Sequence, residues 1–289
     1  MSATPPPRYE WPDGKRCAVV FSADVDAESP FLWANRGKTV TALGELEQRR
    51  FGPRVGIWRM LDLLDEFGAP SSFYVPGIVA ETYPEILPAL RARGHEIGLH
   101  GYHHERVDQV SDEESASILD RSIALFRAQT GETPVGYRSP SWEMTAAIFA
   151  QLKARGIAYD SSLMGYDHPY TIGGLTEVPV QWLIDDAIYF KFVGGGADRW
   201  HPANPAAVLD SWLEEWRAVR DHGGLFMITT HPWISGRGQR IRLLRDLFRQ
   251  IRADSGVWWT TAREIAAYHA ASPNAARFET PLRLADTKF

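Results

Sequence analysis

Two aspartates follow the first strand that the sequence predicts. The apolar segment Cys17–Ala23 has the composition of a buried strand and runs directly into Asp24 and Asp26. Because side chains alternate along a strand, residues two apart lie on the same face. Carboxylates this close repel each other unless a cation lies between them. The Asp-Val-Asp sequence therefore indicates either a divalent metal site or a solvated turn.

A pair of histidines supplies further candidate ligands. His100 and His104 are four residues apart, which places them on one face of either a helix or a strand. His103 would join His100 only on a helix, so His100 and His104 are the preferred pair. With one carboxylate they form a His₂Asp set, which suits Zn²⁺ with an open position for water. Taken alone, this spacing also fits a histidine-rich surface turn.

Three more charged or titratable residues follow predicted strands. His231 lies between the apolar segment Leu225–Thr230 and Pro232, which favours an extended backbone at the histidine. Its imidazole could act as a general acid or base near neutral pH, or simply bond to a carbonyl in the core. Arg138 and Asp160 also lie at strand ends, although singly they are typical of a surface ion pair and a helix cap.

Strands and helices alternate over nearly the whole chain. This order predicts a parallel α/β fold, and seven or eight such units without a break in composition favour a single barrel over two domains. A doubly wound sheet is the alternative, but no GxGxxG follows a strand. In a parallel barrel the strands end on one face, so this arrangement would bring the residues above together. We predict strands at Cys17–Ala23, Ser71–Val75, Glu96–His100, Val135–Arg138, Ile157–Asp160, Glu177–Val180, Leu225–Thr230 and Val257–Thr260.

Composition excludes several classes of protein. With 31 basic and 36 acidic residues and no basic cluster, the chain of 289 residues shows no nucleic-acid-binding pattern. The single cysteine, Cys17, rules out an intrachain disulfide. We see neither a signal peptide nor an apolar run long enough to span a membrane, and therefore expect a cytoplasmic protein. Residues 1–16 and 271–289, an arm and a tail around a barrel at 17–270, are poorly patterned and suggest a homo-oligomer.

Taken together, these residues resemble the five motifs of the polysaccharide deacetylase superfamily, also called NodB-homology or carbohydrate esterase family 4-like proteins. The similarity runs from about residue 17 to 268 and is greatest to a branch of cytosolic peptidoglycan deacetylase-like proteins and cyclic imide hydrolases. The matching segments, in chain order, are Phe21-Ser-Ala-Asp-Val-Asp26, Gly94-His-Glu-Ile-Gly-Leu-His-Gly-Tyr-His-His-Glu105, Gly136-Tyr-Arg-Ser-Pro-Ser-Trp142, Tyr159-Asp-Ser-Ser162 and Thr229-Thr-His-Pro232.

The resemblance implies a distorted (β/α) barrel of about seven strands with one divalent metal. From the His₂Asp donor set we expect this metal to be zinc. Asp26, His100 and His104 match the metal ligands of the family. Asp24 matches the catalytic base, and Arg138 the arginine that pairs with it. The remaining matches are His231 to the catalytic acid and Asp160 to the carboxylate that orients that acid.

The substrate implied by the resemblance is an N-acetylated sugar, hydrolysed at a non-peptide carbon–nitrogen bond. Two departures concern the substrate: the first motif has Asp-Val-Asp where Asp-Asp-Gly is usual, and Ser141 precedes the aromatic Trp142. A small cyclic amide or imide is therefore an alternative substrate. A non-catalytic carbohydrate-binding protein and a phosphoesterase of another barrel family are more distant alternatives. Candidate substrate-binding residues are Ser141, whose backbone N–H could stabilise an oxyanion, Trp142 and Trp33, the last in the unpatterned segment 27–53.

Overall fold

The protein is described by a computed structural model that covers residues 8–194, 198 and 201–282. Its strands are Cys17–Asp24 (β1), Ser71–Val75 (β2), Glu96–Leu99 (β3), Gly136–Tyr137 (β4), Tyr159–Asp160 (β5), Tyr170–Ile172 (β6), Leu175–Glu177 (β7), Leu225–Thr230 (β8), Val257–Trp259 (β9) and Glu279–Thr280 (β10).

The α-helices lie mainly between successive strands. They are Ser29–Ala34 (α1), Gly44–Phe51 (α2), Ile57–Phe67 (α3), Gly77–Thr82 (α4), Ile86–Ala92 (α5), Asp112–Thr130 (α6), Ala146–Ala154 (α7), Ala187–Phe190 (α8), Pro205–His222 (α9), Pro232–Ser235 (α10), Gly238–Arg252 (α11), Ala262–Ala271 (α12) and Asn274–Arg277 (α13). Their ends carry the expected signals: the Ser111 hydroxyl accepts from Glu114 N at the start of α6, and Gly131 ends that helix in the left-handed conformation.

The strands form one curled sheet in the order β10-β6-β7-β5-β4-β3-β2-β1-β8, with β9 also paired to β1. Seven of them, from β7 through β5, β4, β3, β2 and β1 to β8, are parallel neighbours, whereas β6 runs antiparallel to β7. Between the two ends of this parallel series, a single parallel bridge joins Asp185 to Thr229. The predicted distorted barrel of about seven strands is thereby confirmed.

Side-chain alternation separates an outer and an inner face of the sheet. On β1, Val19 and Phe21 belong to the apolar core shared with α3 and α11, and Ala18 and Val20 belong to a second core inside the barrel. The inner positions become polar toward the carboxyl end, at Ser22 and Asp24, although all eight residues of β1 are buried. The same alternation on β8 carries Leu225, Met227 and Thr229 inward and therefore directs His231 to the inner face as well.

The structure differs from the prediction in the loops and at the chain ends. The segment 27–53 contains α1 and α2, and the predicted strand Glu177–Val180 begins and ends earlier, as β7. The arm and the tail are partly packed: Tyr9 and Trp11 share the inner core with Phe278. Residues 5–7 are three consecutive prolines, which favour a polyproline II conformation, but they lie outside the described residues. Within the described ranges, we find no helix that is both long and apolar enough to cross a bilayer.

Candidate metal-centred active site

The carboxyl ends of the parallel strands open into one cavity. Its volume is about 670 Å³, and it is lined by the last residue of β1 and by the segments that follow β1, β3, β4, β7 and β8. The lining residues are Asp24, Asp26, Pro30, Arg49, His100, His104, Ser141, Trp142, Trp182, Asp185, Ala187, Lys191, His231, Trp233 and Ile234.

Asp26, His100 and His104 converge at the bottom of this cavity. The His100 Nε2 atom lies 3.4 Å from Asp26 Oδ1, and His104 Nε2 lies 3.6 Å from Asp26 Oδ2. One ligand atom of each residue lies within 4.8 Å of the others. The two histidines and the aspartate predicted as metal ligands are therefore brought together.

Hydrogen bonds of the loop after β3 hold both histidines in place. The His100 Nδ1 atom is 2.8 Å from the Arg138 carbonyl oxygen, which leaves Nε2 directed at Asp26. The Glu105 carboxylate accepts hydrogen bonds from the backbone N–H groups of Tyr102 and His103, closing the turn between the two histidines. His104 itself adopts a positive φ of 63°, an unfavourable conformation for a non-glycine residue that is typical of functional sites.

The environment of Asp26 suits a cation. Burial alone would raise the pKa of its carboxyl, but the imidazoles of His104, His100 and His231 hold that pKa below its usual range. Its Oδ1 atom is buried and has no hydrogen-bond partner among the described residues. Burial also lowers the pKa of His104 to about 4, which keeps this imidazole neutral and able to bind a metal. The donor set of two nitrogens and one carboxylate oxygen fits a divalent ion such as Zn²⁺.

Asp24 lies beside this triad and is bound by a buried arginine. Arg138 Nη1 donates to Asp24 Oδ1 at 2.7 Å and to Ser22 Oγ at 3.0 Å. Its Nε and Nη2 atoms donate to the carbonyl and hydroxyl oxygens of Ser161, each at 2.9 Å. The guanidinium also stacks 4.0 Å from the ring centroid of Tyr74. These contacts fix the Asp24 carboxylate with its Oδ2 atom toward His100 Nε2, 3.9 Å away.

His231 enters the cavity from the opposite side and is oriented by Asp186. Its Nδ1 atom lies 2.7 Å from Asp186 Oδ1, and its backbone N–H donates to Asp186 Oδ2 at 2.9 Å. Burial opposes protonation of the imidazole, but Asp186, together with Asp185 and Asp26, raises the pKa of His231 to about 10. The Nε2 atom points toward the metal triad, 3.7 Å from Asp26 Oδ2. A protonated imidazole in this position can donate a proton to a group bound in the cavity.

The predicted pairing of Asp160 with His231 requires correction. Its neighbour Tyr159 belongs to the inner core, so strand alternation directs Asp160 to the outer face of the sheet. There, Asp160 accepts a hydrogen bond from Ser162 Oγ at 2.8 Å and lies beside Glu177 of the paired strand β7. The carboxylate that contacts His231 comes instead from Asp186, in the loop between β7 and α8.

Asp185, Asp186 and His231 also lie close enough together to resemble a metal site. Four of their six potential ligand atoms already form hydrogen bonds, however. Asp186 Oδ2 accepts from Ser235 Oγ in addition to the His231 backbone, and Asp185 Oδ1 accepts from Ala187 N at 2.6 Å. This cluster is therefore a hydrogen-bond network that orients His231.

Aromatic side chains form the wall above the triad. Ser141 and Trp142 both have positive φ angles, of 58° and 57°, in the loop after β4, and both line the cavity. Trp142 packs on Trp182 with ring centroids 4.2 Å apart. Trp33, by contrast, does not line the cavity, and its ring instead lies 3.9 Å from Arg36 Cζ. The residue of α1 that does line the cavity is Pro30.

The sequence interpretation missed several residues of the site. Asp185 and Asp186 follow a segment that pairs with β8 through one bridge only, too short for any periodicity. The signal available was an Asp-Asp pair directly after the apolar Trp182–Ile184. Arg49 and Lys191 lie in segments 27–53 and 189–200, which we expect to be candidate substrate walls, but neither residue nor Trp233 is singled out by the sequence, because all three lie on helices or in loops rather than at strand ends.

Comparisons with known proteins place this arrangement in context. The sequence profile described as polysaccharide deacetylase matches residues 51–159. A peptidoglycan deacetylase of Helicobacter pylori is 27% identical over 282 residues, which cover 87% of this chain and 96% of the relative.

Solved structures extend the similarity to the whole chain. A candidate polysaccharide deacetylase from Mycobacterium smegmatis is 37% identical, covers 99% of both chains and superposes with a TM-score of 0.88. An allantoinase superposes with a TM-score of 0.80 over 93% of this chain and 95% of its own, but at 20% identity. The allantoinase therefore shows a shared fold only.

Proposed function

Since the chain belongs to the polysaccharide deacetylase family, we propose that it removes the acetyl group from an N-acetylated sugar by hydrolysis of the amide bond. The proposed reaction uses one divalent metal ion, zinc, held by Asp26, His100 and His104. The single observation that carries this proposal is the position of Asp24 and His231 on either side of that triad. One carboxylate is held by a buried arginine, and one imidazole is held by a buried aspartate. This is the disposition required of a base and an acid acting on one bond.

The two side chains have complementary roles in the proposed reaction. When bound, the divalent ion would supply Lewis acidity toward water and the substrate carbonyl. Asp24, fixed by Arg138, accepts a proton from the water whose oxygen attacks the amide carbon. His231, oriented by Asp186, gives its proton to the nitrogen as the carbon–nitrogen bond breaks, so that the products are a carboxylate and an amine. A positioned acid or base of this kind contributes about 10²- to 10⁴-fold in rate.

The loop after β4 offers a donor for the negative charge that develops on the carbonyl oxygen. The Trp142 backbone N–H is occupied by Ser139 O at 3.0 Å, whereas we find no partner for the Ser141 N–H among the described residues. Positive φ angles at both residues shape this turn at the cavity wall. We assign the Ser141 N–H as the oxyanion donor, in accord with the contribution that such fixed backbone dipoles make to catalysis.

A direct test compares metal-free and zinc-reconstituted protein on chitooligosaccharides, with acetate release as the measurement. We expect activity only after reconstitution, and none in the His104→Ala variant even with zinc present. His103→Ala is the matched control, because His103 adjoins the site but does not line the cavity. Full acetate release by metal-free protein would contradict the proposal.

A cyclic imide or amide is a second candidate substrate. The observation that favours it is the aromatic wall of Trp142, Trp182 and Trp233, because apolar and aromatic linings are typical of pockets for small molecules. An assay that monitors the ring opening of succinimide or hydantoin by ultraviolet absorbance distinguishes this candidate from sugar deacetylation. Binding of sugars without turnover of any amide would instead favour the non-catalytic alternative.

The assembly and location of the protein remain proposals. We propose a homo-oligomer in the cytoplasm, which sedimentation velocity and cell fractionation can test. A monomer at micromolar concentration, or recovery of the protein outside the cytoplasm, would contradict these two statements.

A further inference from the structure

Two basic side chains on the cavity wall take no part in the proposed chemistry. Arg49 lies on α2 and Lys191 directly follows α8, and both line the cavity that contains the metal triad. Their segments are joined, because Gln48 Nε2 donates to the carbonyl oxygen of Phe192. Arg49 and Lys191 adjoin these two bonded residues in the sequence, so they lie on the same side of the cavity.

Arg49 has a buried guanidinium group, one nitrogen of which forms no hydrogen bond with the described residues. The residue is 5% exposed, and its Nε and Nη2 atoms both lie 2.8 Å from Glu45 Oε1. The guanidinium also makes a cation–π contact with the Trp233 ring, whose centroid lies 4.7 Å from Arg49 Cζ. Neither Glu45 nor Trp233 engages Nη1, for which the described residues offer no hydrogen-bond acceptor. Holding a guanidinium this rigidly beside a cavity is typical of a site that binds an oxygen of the ligand.

Lys191 adds a positive charge that no acid compensates. Within the described residues no carboxylate oxygen lies within 4.0 Å of its ammonium group, whereas Asp24 pairs with Arg138 and Asp186 with His231. Arg49 is compensated by Glu45. The wall therefore offers two donors but only one unpaired positive charge, which matches the two oxygens and single charge of a carboxylate better than a phosphate dianion.

On the basis of the proposed function, we infer that the amide substrate carries a carboxylate, and that Lys191 and the Nη1 atom of Arg49 bind it. These two residues would then select among amides that the catalytic residues treat alike. The carboxylate could belong to an acidic N-acetylated sugar or to a carboxylated cyclic amide, and matched pairs of compounds distinguish the two sources.

The test measures binding, so that it does not depend on turnover. The first pair is N-acetylglucosamine and N-acetylmuramic acid, which differ by a lactyl carboxylate. The second pair is dihydrouracil and its 6-carboxylate. Titration calorimetry with the zinc-loaded protein should show that the acidic member of one pair binds at least about tenfold more tightly, a difference of about 1.4 kcal/mol.

Variants connect that preference to the two side chains. Lys191→Ala should reduce the preference for the acidic compound to about threefold or less, and Lys191→Arg should retain most of it. Lys153→Ala, an exposed lysine on α7 outside the cavity, is the matched control and should bind like the wild type. Arg49→Lys tests the second donor without removing its charge.

Three results would overturn the inference: equal binding within both pairs, a preference that survives in Lys191→Ala, or no binding of either acidic compound at millimolar concentration. Hydrolysis followed on the same samples tests the proposed function separately. If a carboxylated compound binds through Lys191 but is never hydrolysed, this result would contradict the proposed reaction but would still support the carboxylate-binding site.

Discussion

Asp24 and Asp26 are chemically identical side chains two residues apart, yet their surroundings differ. Asp24 forms an ion pair with the buried guanidinium of Arg138 at 2.7 Å. Asp26 instead faces three imidazoles, and its Oδ1 atom has no hydrogen-bond partner among the residues that the structure describes. Environment rather than residue type therefore distinguishes the proposed base from the proposed metal ligand.

This distinction predicts opposite effects of two equivalent substitutions. Asp24→Asn should retain about one zinc per chain but lose about 10²- to 10⁴-fold in rate, because only the proton acceptor is removed. Asp26→Asn should lose the metal itself, since an amide oxygen is a weaker ligand than a carboxylate. Elemental analysis alongside acetate release measures both effects. Loss of zinc in Asp24→Asn with retention in Asp26→Asn would reverse the assignment.

A second prediction concerns the partner of His231. Because Asp186 raises the pKa of His231 to about 10, the imidazole stays protonated through neutral pH, and loss of its proton should lower the rate at alkaline pH. Asp186→Asn removes this stabilisation, so the alkaline limb of the pH–rate profile should move to lower pH and the maximum rate should decrease. Asp160→Asn is the matched control and should leave the limb unchanged. A shift in Asp160→Asn alone would restore the pairing inferred from the sequence.

At the scale of single elements, the sequence predicts strands better than it predicts which way their last residue points. Ser71–Val75 and Leu225–Thr230 agree with the prediction at both ends, because each contains a short apolar or aromatic run bounded by polar, glycine or proline residues. Asp160 was placed at the end of its strand but assigned to the wrong face. Strand alternation places Asp160 opposite to Tyr159, but the sequence does not show that Tyr159 points to the inner face, so only the structure separates Asp160 from Asp24 and His231.

Two buried carboxyl groups, those of Asp160 on β5 and Glu177 on β7, lie side by side on the outer face of the sheet and make the stability of the fold depend on pH. Ser162 and Leu163 donate their backbone N–H groups to Glu177 Oε1, and Glu177 Oε2 and Asp160 Oδ2 lack partners among the described residues. Burial and the adjacent Asp160 raise the pKa of Glu177 well above its ordinary value of 4.5. One proton shared between the two carboxyl groups would satisfy both oxygens.

This pair predicts that stability decreases as the pH rises. The folded protein keeps the proton on Glu177 to a higher pH than the unfolded chain, so the free energy of unfolding falls between the unfolded and the folded pKa. Each unit of difference corresponds to about 1.4 kcal/mol. Glu177→Gln replaces the proton with a permanent donor and should flatten this dependence. Urea unfolding of both proteins between pH 5 and pH 9, in steps of about one unit, measures it; parallel curves would contradict the shared proton.

At the scale of the whole molecule, the described residues near both ends of the chain, Tyr9, Trp11 and Phe278, pack into the inner core of the barrel. Trp11 is 6% exposed and donates its indole N–H to Gly223 O at 2.7 Å, and Tyr9 stacks with Phe278 from the C-terminal segment at 5.6 Å between ring centroids. This packing cannot be predicted from the sequence, because isolated aromatic residues in proline-rich or irregular segments carry no periodicity. The alternation of strands and helices, by contrast, specified the barrel and the face that holds the site.

Packing of the N-terminal segment predicts a global effect on stability. Trp11→Ala should lower the free energy of unfolding by about 3–5 kcal/mol, the usual cost of truncating a buried tryptophan. Trp11→Phe, which keeps most of the apolar contact and loses the hydrogen bond, should cost less. Denaturant unfolding provides the measurement, and the rate per folded molecule should be unchanged. A wild-type stability in Trp11→Ala would show that the arm does not contribute to the folded barrel.

The most direct test of the central claim is a crystal of the zinc-loaded protein measured on both sides of the zinc absorption edge. We predict one anomalous difference peak per chain, bonded to Asp26, His100 and His104, with Asp24 and His231 on either side of it. A peak between Asp185, Asp186 and His231, or none near Asp26 at full zinc loading, would contradict the account.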